Sequence, residues 1–234
     1  MRILVLGSGG HLGRPTVLCL SGTVHRVGVV VSVARRGCDT ELGSTSLEPI
    51  DVREDRTIDR LWMRGRLPAP NAGNLTDCVF TYDVFGSFRP DAVVHFSERR
   101  PDPYSMIDQA HGACTQTNNL VGTPDVRDAI APIDQAIHLR KLGSTGEYET
   151  ADVDIAEGWD PSWIEVAHEG RTTGMLWAER PGSLCHLPKV HDSHGIGLAW
   201  RAWGPAATEL DLDPSVRWRA ALSPVGPDEP AFVA

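Results

Sequence analysis

The chain has 234 residues, enough for one sizeable α/β domain with at most a small appendage. Hydrophobic residues at 41% and charged residues at 23% are ordinary for a globular protein. A formal net charge of −9 argues against nonspecific nucleic-acid binding, because phosphates are repelled where no basic face meets them. The longest apolar run is the short segment 27–33, so no membrane span is expected. The amino-terminus opens directly on Arg2-Ile-Leu-Val-Leu6, so neither a signal nor a transit peptide is expected. Five cysteines without a CxxC pair suit reduced thiols in the cytoplasm. Twenty of the 22 basic residues are arginines, which singles out Lys141 and Lys189.

In chain order, residues 3–6 read as a short apolar strand, 7–13 as a glycine-rich turn, and 11–20 as an amphipathic helix. Residues 25–33 supply a second buried strand and complete a βαβ unit. A third strand falls due at 68–74, where proline, glycine and asparagine make it a poor one. Residues 91–96 form the next strand, and 104–130 a long helix expected to be interrupted or ended around Gly122-Thr-Pro124. Another strand is expected at 137–142, followed by the turn Gly143-Ser-Thr-Gly146. Residues 151–180 read as an irregular insert; its Trp159, Trp163 and Trp177 suit packing of a lobe near the site. Helical spacing returns at 190–203, and 206–212 fits a last strand. The proline-rich tail at 213–234 is expected to be disordered. Strands alternating with helices predict an α/β fold, a Rossmann-like doubly wound parallel sheet over residues 1–212.

Gly7-Ser-Gly-Gly10-His-Leu-Gly13 places GxxGxxG between a strand and a helix. Small residues there allow a tight turn and let backbone N–H groups approach a pyrophosphate, although a turn that binds nothing has the same pattern. The end of the second strand offers Val31 and Ser32 where an acidic partner for an adenosine ribose is usual. Arg35 and Arg36 lie just beyond; they suit either a 2′-phosphate or a solvated basic pair. Ser144 or Thr145 could hydrogen-bond a substrate hydroxyl at a strand end, or simply cap a turn. His186, His191 and His194 lack a carboxylate at ligand spacing, so no metal is expected. Asp192-Ser193-His194 cannot form a triad, because neighbours on a helix point in different directions.

Longer motifs are more specific. These are Val93-Val-His-Phe96 with Glu98 and Arg100, Pro103-Tyr-Ser-Met-Ile-Asp108, and Lys141-Leu-Gly143 leading to Gly146-Glu-Tyr148. They continue with Gly170-Arg-Thr172 and with His186-Leu187 before Lys189-Val-His-Asp-Ser-His194. On these segments the chain resembles an extended short-chain dehydrogenase/reductase, and within that superfamily it is most similar to the UDP-sulfoquinovose synthase family. The resemblance implies an enzyme that holds NAD and joins UDP-glucose and sulfite into a sulfolipid head-group donor, with a homodimer as a possible assembly.

Residue roles carry over position by position. Gly7, Gly10 and Gly13 would hold the pyrophosphate. Ser32, Arg35 and Arg36 would follow the second strand on the cofactor side, which favours NAD over the 2′-phosphate reading. Asn119 would support the cofactor from the long helix, and Arg100 would contact UDP-glucose. Ser144 would act on the sugar 4-hydroxyl with Glu147 in the same site, His186 would border the substrate, and Lys189 would bind the nicotinamide ribose.

Departures from the family pattern set limits on that expectation. Cys185 stands at the position of the tyrosine base, and its sulfur lies several ångströms short of a phenolic oxygen. Pro188 is expected either to disturb the helix or to change the register between positions 185 and 189. Beyond residue 210 the family continues into a substrate domain, most of which this chain is expected to lack. A catalytically impaired nucleotide-binding remnant is the alternative.

Overall fold

A computed structural model describes residues 1–10, 12–32, 34–43, 71–99, 104–134, 136–148, 164–175, 178–204 and 206–212. Strand β1 (Arg2–Leu6) enters the glycine turn and helix α1 (Gly13–Ser21); β2 (Arg26–Val31) and α2 (Ala34–Glu41) follow. Then come the two-residue β3 (Asn71–Ala72), α3 (Cys78–Phe88), β4 (Ala92–His95) and α4 (Gln109–Ile130). Strand β5 (His138–Ser144), the ribbon β6 (Ile164–His168) and β7 (Arg171–Met175), α5 (His186–Trp203) and β8 (Ala207–Leu212) complete the order.

The main sheet is ordered β3-β2-β1-β4-β5-β8 with every described pairing parallel, so the doubly wound α/β expectation holds. Both faces are buried, as parallel sheets require. Leu4 and Leu6 of β1 point to one core with Val93, Leu139, Phe85 and Val126; Ile3 and Val5 point to the other with Val17, Val27 and Val29. The alternation along β1 is the period-two rule at work.

Several details differ from the sequence expectation. The segment 104–130 is divided, with a 3₁₀ turn at Tyr104–Met106 before α4 begins behind Asp108. Asp108 caps α4 by accepting the His111 N–H at 3.0 Å. The helix then runs unbroken through Pro124. Proline there removes one intrahelical bond at a cost of about 3 kcal/mol. Gly122, Thr123, Val126 and Ala129 are all buried around it, so packing holds the helix through the break. Strand β5 extends through Gly143 and Ser144, which were expected in a turn, because each pairs with β8. Residues 164–175 form a hairpin where an irregular insert was expected. Glu169 (φ 48°) and Gly170 (φ 74°) supply the two left-handed positions that such a tight connection needs. Trp159, Trp163, Trp177 and the tail lie outside the described residues.

Helix α3 carries the largest fully buried side chain, Phe85, against the first core. Phe85→Ala is expected to cost about 3–5 kcal/mol of unfolding free energy, read from urea denaturation. A cost below about 1 kcal/mol would mean that α3 does not pack there.

Candidate active site

The carboxyl end of β5 and the amino end of α5 meet at one place. The Ser144 N–H donates to Glu147 Oε1 at 2.9 Å and the Gly146 N–H to Ser144 Oγ at 3.1 Å, a capping box that closes the 3₁₀ turn Thr145–Glu147. Glu147 is 1% exposed, and its Oε2 accepts the Ser193 hydroxyl of α5 at 2.9 Å. Its carboxylate therefore locks the turn onto the helix. A side chain at Gly146 would meet the His186 ring at 2.4 Å, so glycine is required for that ring to lie on the turn.

Pro188 does not disturb this helix, contrary to expectation. It is the third residue of α5, where its missing N–H is one that has no intrahelical partner in any case. Cys185 precedes the helix with φ −89° and ψ −29°, already helical, so Cys185 and Lys189 keep one-turn spacing. The Cys185 side chain is buried, with Sγ 2.9 Å from Ser183 Oγ.

Behind the turn lies a charge cluster that sequence reasoning passed over. Lys189 Nζ is 2.6 Å from Glu98 Oε2, and donates to the carbonyls of Leu142 and Gly143 at 3.1 and 3.4 Å. Lys141, 1% exposed, donates to Glu98 Oε1, lies 3.1 Å from Asp192 Oδ2 and reaches the Leu142 carbonyl at 2.9 Å. Asp192 also accepts the Thr123 hydroxyl at 2.7 Å, and Thr123 Oγ1 stands 3.3 Å from His95 Nε2. Two carboxylates and two ammoniums thus meet in one largely buried space, and Glu209, paired with Lys141 on β8, adds a further negative charge toward Lys141. Burial pushes the Glu98 carboxyl up, but the ammoniums of Lys141 and Lys189 outweigh it and bring it to about 2. Burial likewise works against the charge on Lys141, and the carboxylates of Glu98 and Asp192 more than restore it. Asp192 is raised, by burial first, with Lys141 and Thr123 opposing. The signal that could have found this cluster was the scarcity of lysine: both lysines of the chain lie in it.

At the same edge of the sheet, the glycine turn leaves β1. Gly7 has φ 77°, and a Cβ there would lie 2.7 Å from the Phe96 backbone; at Gly13 it would lie 2.1 Å from the Gly7 carbonyl. Leu12 makes no side-chain bond to the first turn of α1, where the Arg14 N–H is taken by the Gly10 carbonyl at 3.1 Å and Pro15 has no N–H. Ser32, exposed at the end of β2, accepts the Ala34 N–H at 3.2 Å and so caps α2, which carries Arg35 and Arg36. Asn119 is buried and holds the Arg99 backbone from both sides, accepting its N–H at 2.8 Å and donating to its carbonyl at 3.3 Å. It fixes the loop after β4. The structure therefore gathers Ser144, Glu147, Cys185, His186 and Lys189, while Gly7, Gly10, Gly13, Ser32 and Asn119 line the neighbouring strand ends. Arg100 lies outside the described residues.

No family model matches the chain. The spinach chloroplastic UDP-sulfoquinovose synthase is 41% identical over 210 residues, covering 90% of this chain and 43% of that protein. The UDP-sulfoquinovose synthase of Sulfolobus acidocaldarius is 35% identical over 214 residues, covering 92% of this chain and 54% of that one. The chain thus spans about half the length of the curated relatives it matches. Among solved structures, UDP-glucose 4-epimerase of Thermus thermophilus in complex with NAD superposes with a TM-score of 0.58 at 19% identity, over 90% of this chain and 54% of that one. Pal from Bacillus thuringiensis superposes with a TM-score of 0.63 at 17% identity, over 90% and 55% respectively.

Strand order, glycine turn and a helix packed at the carboxyl edge of the sheet define a Rossmann-type doubly wound fold, the one shared with the solved UDP-glucose 4-epimerase. More particularly, the chain is similar to the UDP-sulfoquinovose synthases over about nine-tenths of its own length.

His95, 1% exposed, sits beside the charge cluster. Burial and then Lys141 depress its proton affinity from 6.5 to about 3. The unfolded chain therefore binds a proton at this residue from pH 6.5 downward while the folded chain does not. Its share of stability is intact above pH 6.5 and is lost as pH falls toward 3, by up to about 1.4 kcal/mol per pH unit. His95→Gln is expected to remove one proton from that slope in urea titrations at pH 7, 6 and 5. An unchanged slope would mean that His95 is already protonated in the folded chain.

Proposed function

We propose that the chain is an NAD-dependent nucleotide-sugar enzyme of the UDP-sulfoquinovose synthase type, taking UDP-glucose and sulfite toward UDP-sulfoquinovose in sulfolipid biosynthesis, with its acid–base step weakened at Cys185. The observation that carries this reading is the convergence of Ser144 and Lys189. The lysine ammonium rests 3.4 Å from the Gly143 carbonyl, one residue from Ser144, at the sheet edge where the glycine turn also opens.

The turn suits a dinucleotide. A Cβ at Gly7 or Gly13 would collide with backbone, so the turn stays tight enough for a pyrophosphate to approach the start of α1. Gly7, Gly10 and Gly13 would hold the pyrophosphate, with Ser32, Arg35 and Arg36 toward the adenosine end. NAD, held there, would supply reversible hydride transfer at C4 of the sugar. The chain's own residues do the rest. The Ser144 hydroxyl orients the 4-hydroxyl, and the capping box with Glu147 keeps that serine in place. The positive charge of Lys189 would lie toward the ribose and favour deprotonation of a neighbouring acid. By the same resemblance, Arg100 and His186 would contact the nucleotide sugar.

The second reading, a nucleotide-binding protein without turnover, is favoured by one observation. The thiol at the base position is engaged with Ser183 at 2.9 Å and is too short to reach a sugar hydroxyl that a phenol would meet. Five free thiols support a reducing, cytoplasmic setting.

The test is a titration of the purified protein with NAD, followed by a mass assay for UDP-sulfoquinovose. Binding of NAD is expected; a protein that neither carries nor binds it sinks the reading. Cys185→Tyr is expected to raise turnover by about 10² or more, the usual contribution of a positioned base. Pro188→Ser alone is expected to change turnover little, since that proline fits the first turn of α5. No gain from Cys185→Tyr, with NAD bound, would favour the reading without turnover.

A further inference from the structure

Glu98 and Lys141 take no part in the chemistry above, yet they are what surrounds Lys189. Each ammonium has three protons to place. Lys141 places them on Glu98, Asp192 and the Leu142 carbonyl, with its side chain 0% exposed. Lys189 has one carboxylate, at 2.6 Å, and two neutral carbonyls at 3.1 and 3.4 Å, with its side chain 12% exposed. The two lysines are therefore unequal. Lys141 is anchored by two charges, one of them Asp192, itself fixed by Thr123 at 2.7 Å. Lys189 is anchored by one charge and lies nearer the surface.

We propose that Glu98 is the positioning residue of this site: it holds Lys189 against the carbonyl edge of β5, and Lys141 keeps the shared carboxylate paired when Lys189 turns toward a ligand. The proposal rests on the reading of Lys189 as a cofactor-side residue. The physical argument concerns what happens to Glu98 when one cation leaves. A buried carboxylate stripped of its only counter-charge is strongly disfavoured, so a lone Glu98–Lys189 pair would resist opening. With Lys141 fixed beside it, Glu98 retains one cation throughout, and the release of Lys189 exchanges one charge-assisted bond for another. The neighbouring neutral His95 supplies no charge to the exchange. Glu98 and Lys141 act through Lys189 and touch no substrate.

The chain has two lysines, so lysine labelled with ¹⁵N gives two side-chain ammonium signals in this 234-residue chain. Both are expected to exchange slowly with water in the wild type. In Glu98→Gln the Lys189 signal is expected to exchange about 10-fold faster while Lys141, kept by Asp192, changes little. Equal acceleration of both signals would show general loosening and overturn the proposal, as would no change in either. Should Glu98→Gln fail to fold, the charge-balanced Glu98→Gln/Lys141→Met variant leaves Lys189 as the single signal. It is expected to exchange about 10-fold faster than in the wild type, and an unaltered rate overturns the proposal. NAD affinity is expected to weaken about 10-fold in Glu98→Gln; an unchanged affinity counts against the positioning role. A wild-type protein blind to NAD counts against the proposed function, while the exchange rates still decide whether Glu98 holds Lys189.

Discussion

The interaction on which the site depends is the sharing of one carboxylate by two ammonium groups. Glu98 follows β4, Lys141 belongs to β5, Lys189 and Asp192 belong to α5, and Thr123 belongs to α4. The cluster therefore ties four parts of the fold into one arrangement at the carboxyl edge of the sheet. Its stability cannot be read as a sum of ion pairs, because each charge loses its hydration on burial. What makes the arrangement tolerable is that each ammonium meets a carboxylate, and that three acceptors saturate the protons of Lys141. Removal of any single member leaves an uncompensated charge, which gives the cluster its power to specify geometry.

The same economy explains the turn that follows β5. Ser144 stands in a strand paired with β8, and its backbone and side chain both enter the capping box with Glu147. Glu147 in turn takes the hydroxyl of Ser193, four residues beyond Lys189 on the same helix. The serine and the lysine thus come from distant parts of the sequence, and two buried carboxylates hold them in register. Such support matters more than reach, since a displacement of about 1 Å in a catalytic group can cost 10²-fold in rate. Cys185 keeps helical backbone angles at the start of α5, so the thiol there does not disturb the turn.

Much of the frame was legible in the residues alone. The apolar runs of β1 and β2 and the glycines between them announce a βαβ unit. The weak strand near residue 71 reduces to two paired residues at the sheet edge, in keeping with its prolines and glycine. Pro124 and Pro188 misled for opposite reasons. Propensity weighs proline against helix, yet burial of the surrounding residues held α4 together, and the first-turn position made Pro188 harmless. Helix α3 was not anticipated, because its mixture of phenylalanine, tyrosine and valine looks more like a strand than an amphipathic helix.

Local patterning and motif alone determined the class of fold, the glycine turn and the resemblance to sulfoquinovose synthases. These follow from residue identity and short-range spacing, which the sequence displays directly. Tertiary structure decided what no spacing contains: that Lys141 and Lys189, separated by 48 positions, converge on Glu98, and that Asp192 and Thr123 complete the set. The reason is physical. Charges can be buried only where partners from several elements arrive together, and that meeting is fixed by how the helices pack on the sheet, not by the order of residues along it.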